Sequence, residues 1–155
     1  MPRLALLIAM SFSVVGMLEG CPCHGEKDPI KITLVVILAS EEGNTIDPRL
    51  KAIAEEVQKL HPNLKSFKLK HMENKSLKPG EKVSFPAVEK KMVDMVVKHG
   101  ANKENRVGLA VTAPAMDEIE YQTVCGKFLP IVTRYQTKSK ERLILAIRVQ
   151  PCRGE

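Results

Sequence analysis

The residues of this sequence with the clearest capacity for chemistry are its four cysteines and four histidines. Three of them stand together in Cys21-Pro22-Cys23-His24, which offers two thiolates and an imidazole to a metal ion. A structural zinc site usually takes four such ligands, commonly as two pairs, and the sequence has no second pair. The other histidines share no spacing with one another: His61, His71 and His99. We therefore predict no metal and no cofactor, and we explain Cys21 by lipid attachment.

The segment before Cys21 has the pattern of a secretion signal. A short positive start, Met1–Arg3, precedes the apolar stretch Leu4–Leu18. A helix needs about 20 apolar residues to cross a bilayer core, whereas the apolar core of a signal peptide has about 7 to 15. A buried N-terminal helix would show polar residues at helical spacing, which this stretch lacks. We therefore interpret residues 1–20 as a signal peptide and residues 21–29 as a tether, and we expect the protein to be exported.

The end of this leader resembles a bacterial lipoprotein signal, in which the cysteine is diacylated and becomes the new N-terminus. Leu18 lies three positions before Cys21, and Gly20 lies immediately before it. Glu19 departs from the pattern, since small or apolar residues usually stand there. Ordinary cleavage with release, or an uncleaved anchor, are the alternatives. We predict lipidation at Cys21, because two or three acyl chains would attach the protein stably to a membrane.

The two late cysteines, Cys125 and Cys152, are the candidates for a disulfide, since export places thiols where disulfides persist. Leu129–Tyr135 and Arg142–Val149 form a predicted β-hairpin joined by a polar turn. If the hairpin turns about Lys138-Ser139, Cys152 lies opposite Cys125, and a bridge would contribute about 3 kcal/mol. A slip of one residue breaks this register. The alternative is two separate buried thiols.

Glu118 and Glu120 are the paired carboxylates of the sequence, because a strand would place both on one face. Acid–base catalysis would need one of them to be desolvated so that its pKa shifts. Their neighbours, among them Asp117, are polar, so we expect a solvated face. Asp94 stands in an apolar stretch, but a strand there would turn it outward. No nucleophile elbow, zinc-protease motif or glycine-rich phosphate loop is present, and we predict no catalytic residue.

The elements that position these side chains predict a single β-rich α+β domain over residues 30–152. Ile30–Ala39 begins with alternation and becomes continuously apolar, as in a strand buried on both faces. Asp47 can cap an amphipathic helix that begins at Pro48. From Leu64 onward the period is mostly two, which predicts about six further, mostly antiparallel strands. The helix would lie on one face of a sheet, or cap a sandwich.

One segment, Pro86–His99, fits two kinds of structure. A helix would place Val88, Met92 and Met95 on one face, with Gly100 ending it. A strand would place alternate residues on opposite faces, and the valines of the segment favour strand. We predict a strand.

The charge of the chain is basic, with 24 Lys and Arg against 18 Asp and Glu. A basic balance is typical of proteins that meet nucleic acid, an anionic membrane or an acidic polymer. The lysines from Lys51 to Lys140 alternate with apolar residues and form no run, which indicates a solvated surface. Export also removes nucleic acid from reach, so we expect no nucleic-acid partner. Aromatic residues make up only 4%, which argues against sites that stack rings on sugars or bases.

Four short stretches carry a resemblance to a known family: Val36–Ser40, Ile46–Lys51, Ser66–Leu69 and Leu77–Glu81. Together they resemble an uncharacterised family of signal-bearing proteins from planctomycete- and myxobacterium-type bacteria. The similarity would cover about Ile32–Val149. It implies successive strands after the helix, and therefore a strand over Met92–Lys98. That family has no assigned activity, so the resemblance implies no functional residue.

These observations favour a non-enzymatic envelope or extracellular module that binds protein or an anionic surface polymer. A hydrolase without a recognisable motif is the first alternative. An inhibitor or chaperone-like subunit that adds an edge strand to a partner is the second.

Overall fold

The structure is a computed structural model that describes residues 28–151. Within this range there are eight β-strands and one α-helix, and the helix lies between the first and second strands along the chain. The strands are β1 (Ile30–Ser40), β2 (Ser66–Leu77), β3 (Lys82–Pro86), β4 (Met92–His99), β5 (Arg106–Thr112), β6 (Ile119–Val124), β7 (Leu129–Gln136) and β8 (Arg142–Pro151). A 3₁₀ turn at Pro48–Leu50 leads into the helix α1 (Lys51–Leu60). The α+β class is confirmed, although seven strands follow the helix instead of about six.

The strands form two four-stranded sheets, with the orders β2-β1-β8-β7 and β3-β4-β5-β6. Every neighbouring pair of strands is antiparallel. The inner faces of both sheets meet in one apolar core, to which β1 contributes Leu34 and Val36, β4 contributes Met95, and β5 contributes Leu109. Because side chains alternate between the two faces of each strand, the arrangement is a β-sandwich.

The helix covers the other face of the first sheet. Val35 and Ile37 of β1 pack against Ile53 and Val57 of α1 in a second apolar cluster. Both faces of β1 are therefore buried, which explains its continuous apolar run and confirms the prediction from the sequence. Of the two arrangements that the sequence left open, the structure has the sandwich capped by a helix.

Asp47 starts the helical segment as predicted. Its carboxylate accepts the backbone N–H of Arg49 at 3.0 Å and also pairs with the Arg49 guanidinium at 2.7 Å. These contacts hold the pKa of Asp47 below its usual value, the side-chain hydrogen bond with Arg49 being the main cause. The first turn is a 3₁₀ turn, so the α-helix proper begins at Lys51.

The segment Pro86–His99 is a turn followed by a strand, which confirms the predicted strand. A hydrogen bond of 2.8 Å from the backbone N–H of Ala87 to the carbonyl of Lys91 closes the turn. The strand β4 then points Val93, Met95 and Val97 into the core.

Candidate anion-binding surface

Two hairpin turns from different sheets meet at one end of the sandwich, the β3–β4 turn and the β7–β8 turn. The Glu89 carboxylate joins them: one oxygen accepts the backbone N–H of Lys138 at 2.9 Å, and the other accepts the hydroxyl of Tyr135. Glu89 has a left-handed backbone conformation, with φ of 50°. Such a φ is uncommon outside glycine, and here it accompanies a turn that brings the carboxylate to the other sheet.

Three lysines surround this contact: Lys90, Lys91 and Lys138 line a cavity of about 460 Å³ together with Glu89 and Tyr135. We call this group of five residues the lysine end. All three lysines are exposed. None of their ammonium groups forms an ion pair or a hydrogen bond with another part of the described chain. The lysine end therefore holds three cations around one carboxylate that is already hydrogen-bonded through both oxygens.

The electrostatics of the lysine end keep Glu89 ionised. Its pKa is lowered first by the backbone N–H of Lys138, then by the Tyr135 hydroxyl, and further by the charges of Lys138 and Lys91. The hydrogen bond to Glu89 in turn raises the pKa of Tyr135. At neutral pH the contact therefore consists of a carboxylate and a protonated phenol, and the net charge of the group is positive.

Five other lysines on the described surface have carboxylate partners. Lys82 pairs with Asp94 across sheet neighbours β3 and β4 at 3.6 Å, and Lys98 of β4 pairs with Glu120 of β6 at 3.1 Å. Three more lysines have carboxylate partners within 4 Å: Lys59, Lys68 and Lys75. The local feature of the lysine end is that three lysines converge there around one carboxylate, which the overall basic composition does not reveal.

The prediction that Glu118 and Glu120 share one face of a strand is wrong, because Glu120 lies on β6 whereas Glu118 precedes that strand. Glu120 is 63% exposed and ion-paired, and Glu118 is an exposed residue before β6 begins. Glu120 and His99 border a shallow depression of about 240 Å³. The His99 ring lies over Gly108, where a Cβ atom would come within 2.5 Å of the ring. This depression brings one solvated carboxylate near a packed histidine, and Glu118 is not among the residues that border it.

The remaining candidates are held by local contacts. Asp94 faces outward, as the strand interpretation predicts, and accepts a hydrogen bond from the hydroxyl of Ser84. His71 lies 2.7 Å from the carbonyl oxygen of Pro86, and Lys75 donates to the carbonyl of Ser84 at 3.0 Å. Side chains of β2 thus satisfy carbonyls of β3. Within residues 28–151, no three His, Cys, Asp or Glu side chains are grouped so that they could hold a metal ion.

Of the four cysteines, the structure describes Cys125. Its thiol is half-buried beside the inter-sheet core, and this burial raises its pKa. Cys21, Cys23 and Cys152 lie outside the described residues, as does the leader 1–20. The lipidation of Cys21 and the Cys125–Cys152 disulfide therefore stay predictions.

The hairpin register that motivated this disulfide differs from the prediction by one residue. Leu129 lies opposite Ile147, where the assumed turn would have placed Arg148. Near the turn, Gln136 lies opposite Arg142, and an irregularity between Val132 and Gln136 separates the two registers.

The sequence analysis missed the lysine end. The lysines were interpreted as dispersed, although two turn segments, Glu89-Lys90-Lys91 and Lys138-Ser139-Lys140, each hold two lysines within three positions. That spacing was the available signal. The meeting of the two turns depends on how the sheets stack, which the spacing does not encode.

Comparisons with protein-family models, with curated proteins and with solved structures found no match to this chain. The resemblance to the signal-bearing bacterial family remains an expectation from the sequence. No helix within the described range is both long enough and apolar enough to cross a membrane.

Proposed function

We propose that this protein is a non-enzymatic module of the cell envelope that binds an anionic surface polymer through the lysine end. The observation that carries the proposal is that Lys90, Lys91 and Lys138 converge on one cavity, and that within residues 28–151 none of their ammonium groups has a carboxylate within 4 Å. The one acidic group there, Glu89, already accepts two hydrogen bonds. An incoming anionic group would therefore meet uncompensated positive charge on a surface fixed by a contact between the two sheets.

The strength of each contact favours a polymer over a single small anion. An exposed ion pair contributes about 0.2 to 1 kcal/mol, because water and salt screen it. Three such contacts give weak binding to one anion, whereas a polymer with repeated charges can rebind from neighbouring positions. A lipid anchor at Cys21, as the sequence predicts, would raise the local concentration at the envelope further.

The two alternatives from the sequence receive less support. A hydrolase would need a desolvated acid or base, and the carboxylates that the sequence singled out are exposed. Edge-strand addition would need an open, uncharged edge. The edge strands β6 and β7 carry Glu120 and Arg134 respectively, β7 also contains Pro130, and β2 side chains bond to the carbonyls of β3.

The test compares two variants of the exported protein that lose the same charge. The first is K90Q/K91Q/K138Q at the lysine end, and the second, a control elsewhere on the surface, is K51Q/K65Q/K103Q. All six lysines are exposed. Binding to purified envelope fractions would be measured by sedimentation at low and at raised salt.

We expect wild type and the control to bind at low salt and to release as salt rises. The lysine-end variant should lose most of the binding. Equal loss in both variants would show that only net charge matters and would contradict the proposed site. Failure of wild type to bind at any salt concentration would contradict the proposed function.

A further inference from the structure

A second cavity, of about 260 Å³, lies beside the same β7–β8 hairpin but away from the lysine end. Adjacent residues line the two cavities: Tyr135 borders the lysine end, whereas Gln136 borders the second cavity. The cavity separates the loop that follows β1 from the β7–β8 turn. Its charged lining is formed by Glu41, Glu42, Lys140 and Arg142, and Ser40, Gln136 and Ser139 are its neutral polar residues.

The charges of this cavity come from two different elements. The carboxylates belong to Glu41 and Glu42 in the loop after β1, and the cations belong to Lys140 and Arg142 around the start of β8. No ion pair within 4 Å joins the two groups across the described cavity. Glu41 instead accepts a hydrogen bond from the side-chain amide of Asn63. Opposite charges thus line one space without neutralising each other.

Arg142 is held in place at the wall of this cavity. It is paired in the sheet with Ala39 of β1 on one side and Gln136 of β7 on the other. Its Nε atom is buried and has no hydrogen-bond partner among the described residues. Leaving a buried donor unsatisfied is unfavourable, and such groups in a folded protein call for an explanation.

Lys140 is held by the turn that precedes β8. It has a left-handed backbone, with φ of 61°, and its backbone N–H donates to the carbonyl of Thr137 at 2.9 Å. The cationic side of the cavity is therefore built on hydrogen-bonded backbone, in the β7–β8 turn and at the first residue of β8.

We propose that this cavity binds a small zwitterion that carries an ammonium and a carboxylate close together, as a free α-amino acid does. A simple anion would be attracted by Arg142 and Lys140 but repelled by the two glutamates. A simple cation would be attracted by the glutamates but repelled by Arg142 and Lys140. A ligand with both charges satisfies both walls at once, through charge-assisted hydrogen bonds. The volume lies below the roughly 300 to 1,000 Å³ of pockets that enclose drug-sized ligands, which suits a ligand of this size.

This proposal does not depend on the anionic-polymer function, because none of the three lysines of that site lines the second cavity. Comparison of alanine, propionate and ethylamine tests the contribution of each charge by itself. Propionate is alanine without its amino group, and ethylamine is alanine without its carboxylate. Calorimetric titration of the full exported protein with each, together with glycine and glutamate, measures the requirement for both charges.

The variants are R142Q and E42Q, with R148Q as the matched control. Arg148 lies on the same strand as Arg142, and its Nε is also buried with no hydrogen-bond partner in the described part of the chain. Its guanidinium lies over the Phe128 ring, 4.7 Å from the ring centre, and it does not line the cavity. Circular dichroism and thermal unfolding would verify that all three variants fold.

We expect at least one of the amino acids to bind and the two single-charge analogues to fail. R142Q and E42Q should each weaken binding by about two- to fivefold, as expected for one lost charge contact at an accessible site, while R148Q retains it. Binding of propionate as strong as that of alanine would overturn the zwitterion proposal. So would equal loss in R148Q, or no detectable binding of any amino acid to the folded wild type.

Discussion

The carboxylate of Glu89 and the hydroxyl of Tyr135 form a hydrogen bond that joins the β3–β4 turn of one sheet to the last strand pair of the other. The two residues are separated by 46 positions in sequence. Beyond the apolar core, this contact gives the two sheets a polar connection at their lysine-bearing end. It also holds together the two turns that carry the lysines of the proposed site, since Lys138 donates its backbone N–H to the same carboxylate.

Replacing Glu89 by Gln should therefore change how the free energy of unfolding depends on pH in the acid range. The folded-state pKa of Glu89 is lowered, so its contribution to the free energy of unfolding is fully present above the unfolded-state pKa of about 4.3. That contribution is lost as pH falls through the lower folded-state pKa. We expect wild type to lose more stability than E89Q between about pH 5 and pH 2 in urea unfolding curves.

Glu118→Gln is the control for this experiment, because Glu118 is exposed, precedes β6 and forms no ion pair with any residue of the range 28–151. It should follow the wild-type profile. If E89Q and wild type lose stability in parallel over the acid range, the Glu89 contact has no role in holding the turns together.

Two tyrosines should respond in opposite directions to loss of the hydroxyl. The Tyr121 hydroxyl is buried without a hydrogen-bond partner in the described chain, and burial raises its pKa. An unsatisfied buried polar group costs about 1 to 3 kcal/mol, so Tyr121→Phe should leave the stability unchanged or raise it by about 1 kcal/mol. Tyr135→Phe loses the bond to Glu89 and should lower it. Denaturation of both variants at pH 7 measures the difference, and a stability loss in Y121F larger than in Y135F would contradict the contrast.

Much of the fold is encoded in patterns that a reader can see in the sequence. Asp47-Pro48 marks the start of the helical segment, because the Asp47 side chain can cap a helix and the Pro48 ring suits its first position. The apolar run of β1 reflects a strand that is covered by a sheet on one face and by a helix on the other. In β4 the alternation of Val93, Met95 and Val97 predicts the buried face. These features are local, so short-range periodicity is sufficient to reveal them.

The division into two sheets and the hairpin register were not predictable in the same way. Alternation shows which side of a strand is buried but not which strands pair, so one sheet and two sheets give the same pattern. The irregularity between Val132 and Gln136 shifts the β7–β8 register, and no residue type in that segment signals it. The lysine end requires the stacking of both sheets, which places Lys90 beside Lys138.

Gly108 should be intolerant of even a methyl group because of the histidine above it. A Cβ at this position would lie 2.5 Å from Cδ2 and 2.6 Å from Nε2 of His99, which is closer than real Cβ contacts. The half-buried His99 ring can move aside at the cost of its 2.9 Å contact with the Gly100 carbonyl, so Gly108→Ala should lower the free energy of unfolding by about 1 kcal/mol.

The double variant G108A/H99A distinguishes this clash from a backbone effect. Removing the imidazole removes the obstacle, so the double variant should be more stable than G108A alone, measured by urea denaturation with H99A as the reference. If adding H99A to G108A lowers stability further by the full cost of H99A, the ring is not what excludes the methyl group.

The cysteines give the most direct test of the predicted export and membrane attachment of the protein. We expect the intact mass of the natively expressed protein to correspond to a chain that lacks residues 1–20 and carries acyl chains on Cys21. Replacing Cys21 by Ala should move the protein out of the membrane fraction.

Alkylation without reduction tests the predicted disulfide, because it should leave Cys125 unmodified if Cys125 is bridged to Cys152. A burial effect alone would also slow its reaction, since the thiol is half-buried and its pKa is raised. Alkylation in denaturant separates the two causes: a bridged Cys125 stays protected there, whereas a free thiol reacts fully and would rule the disulfide out.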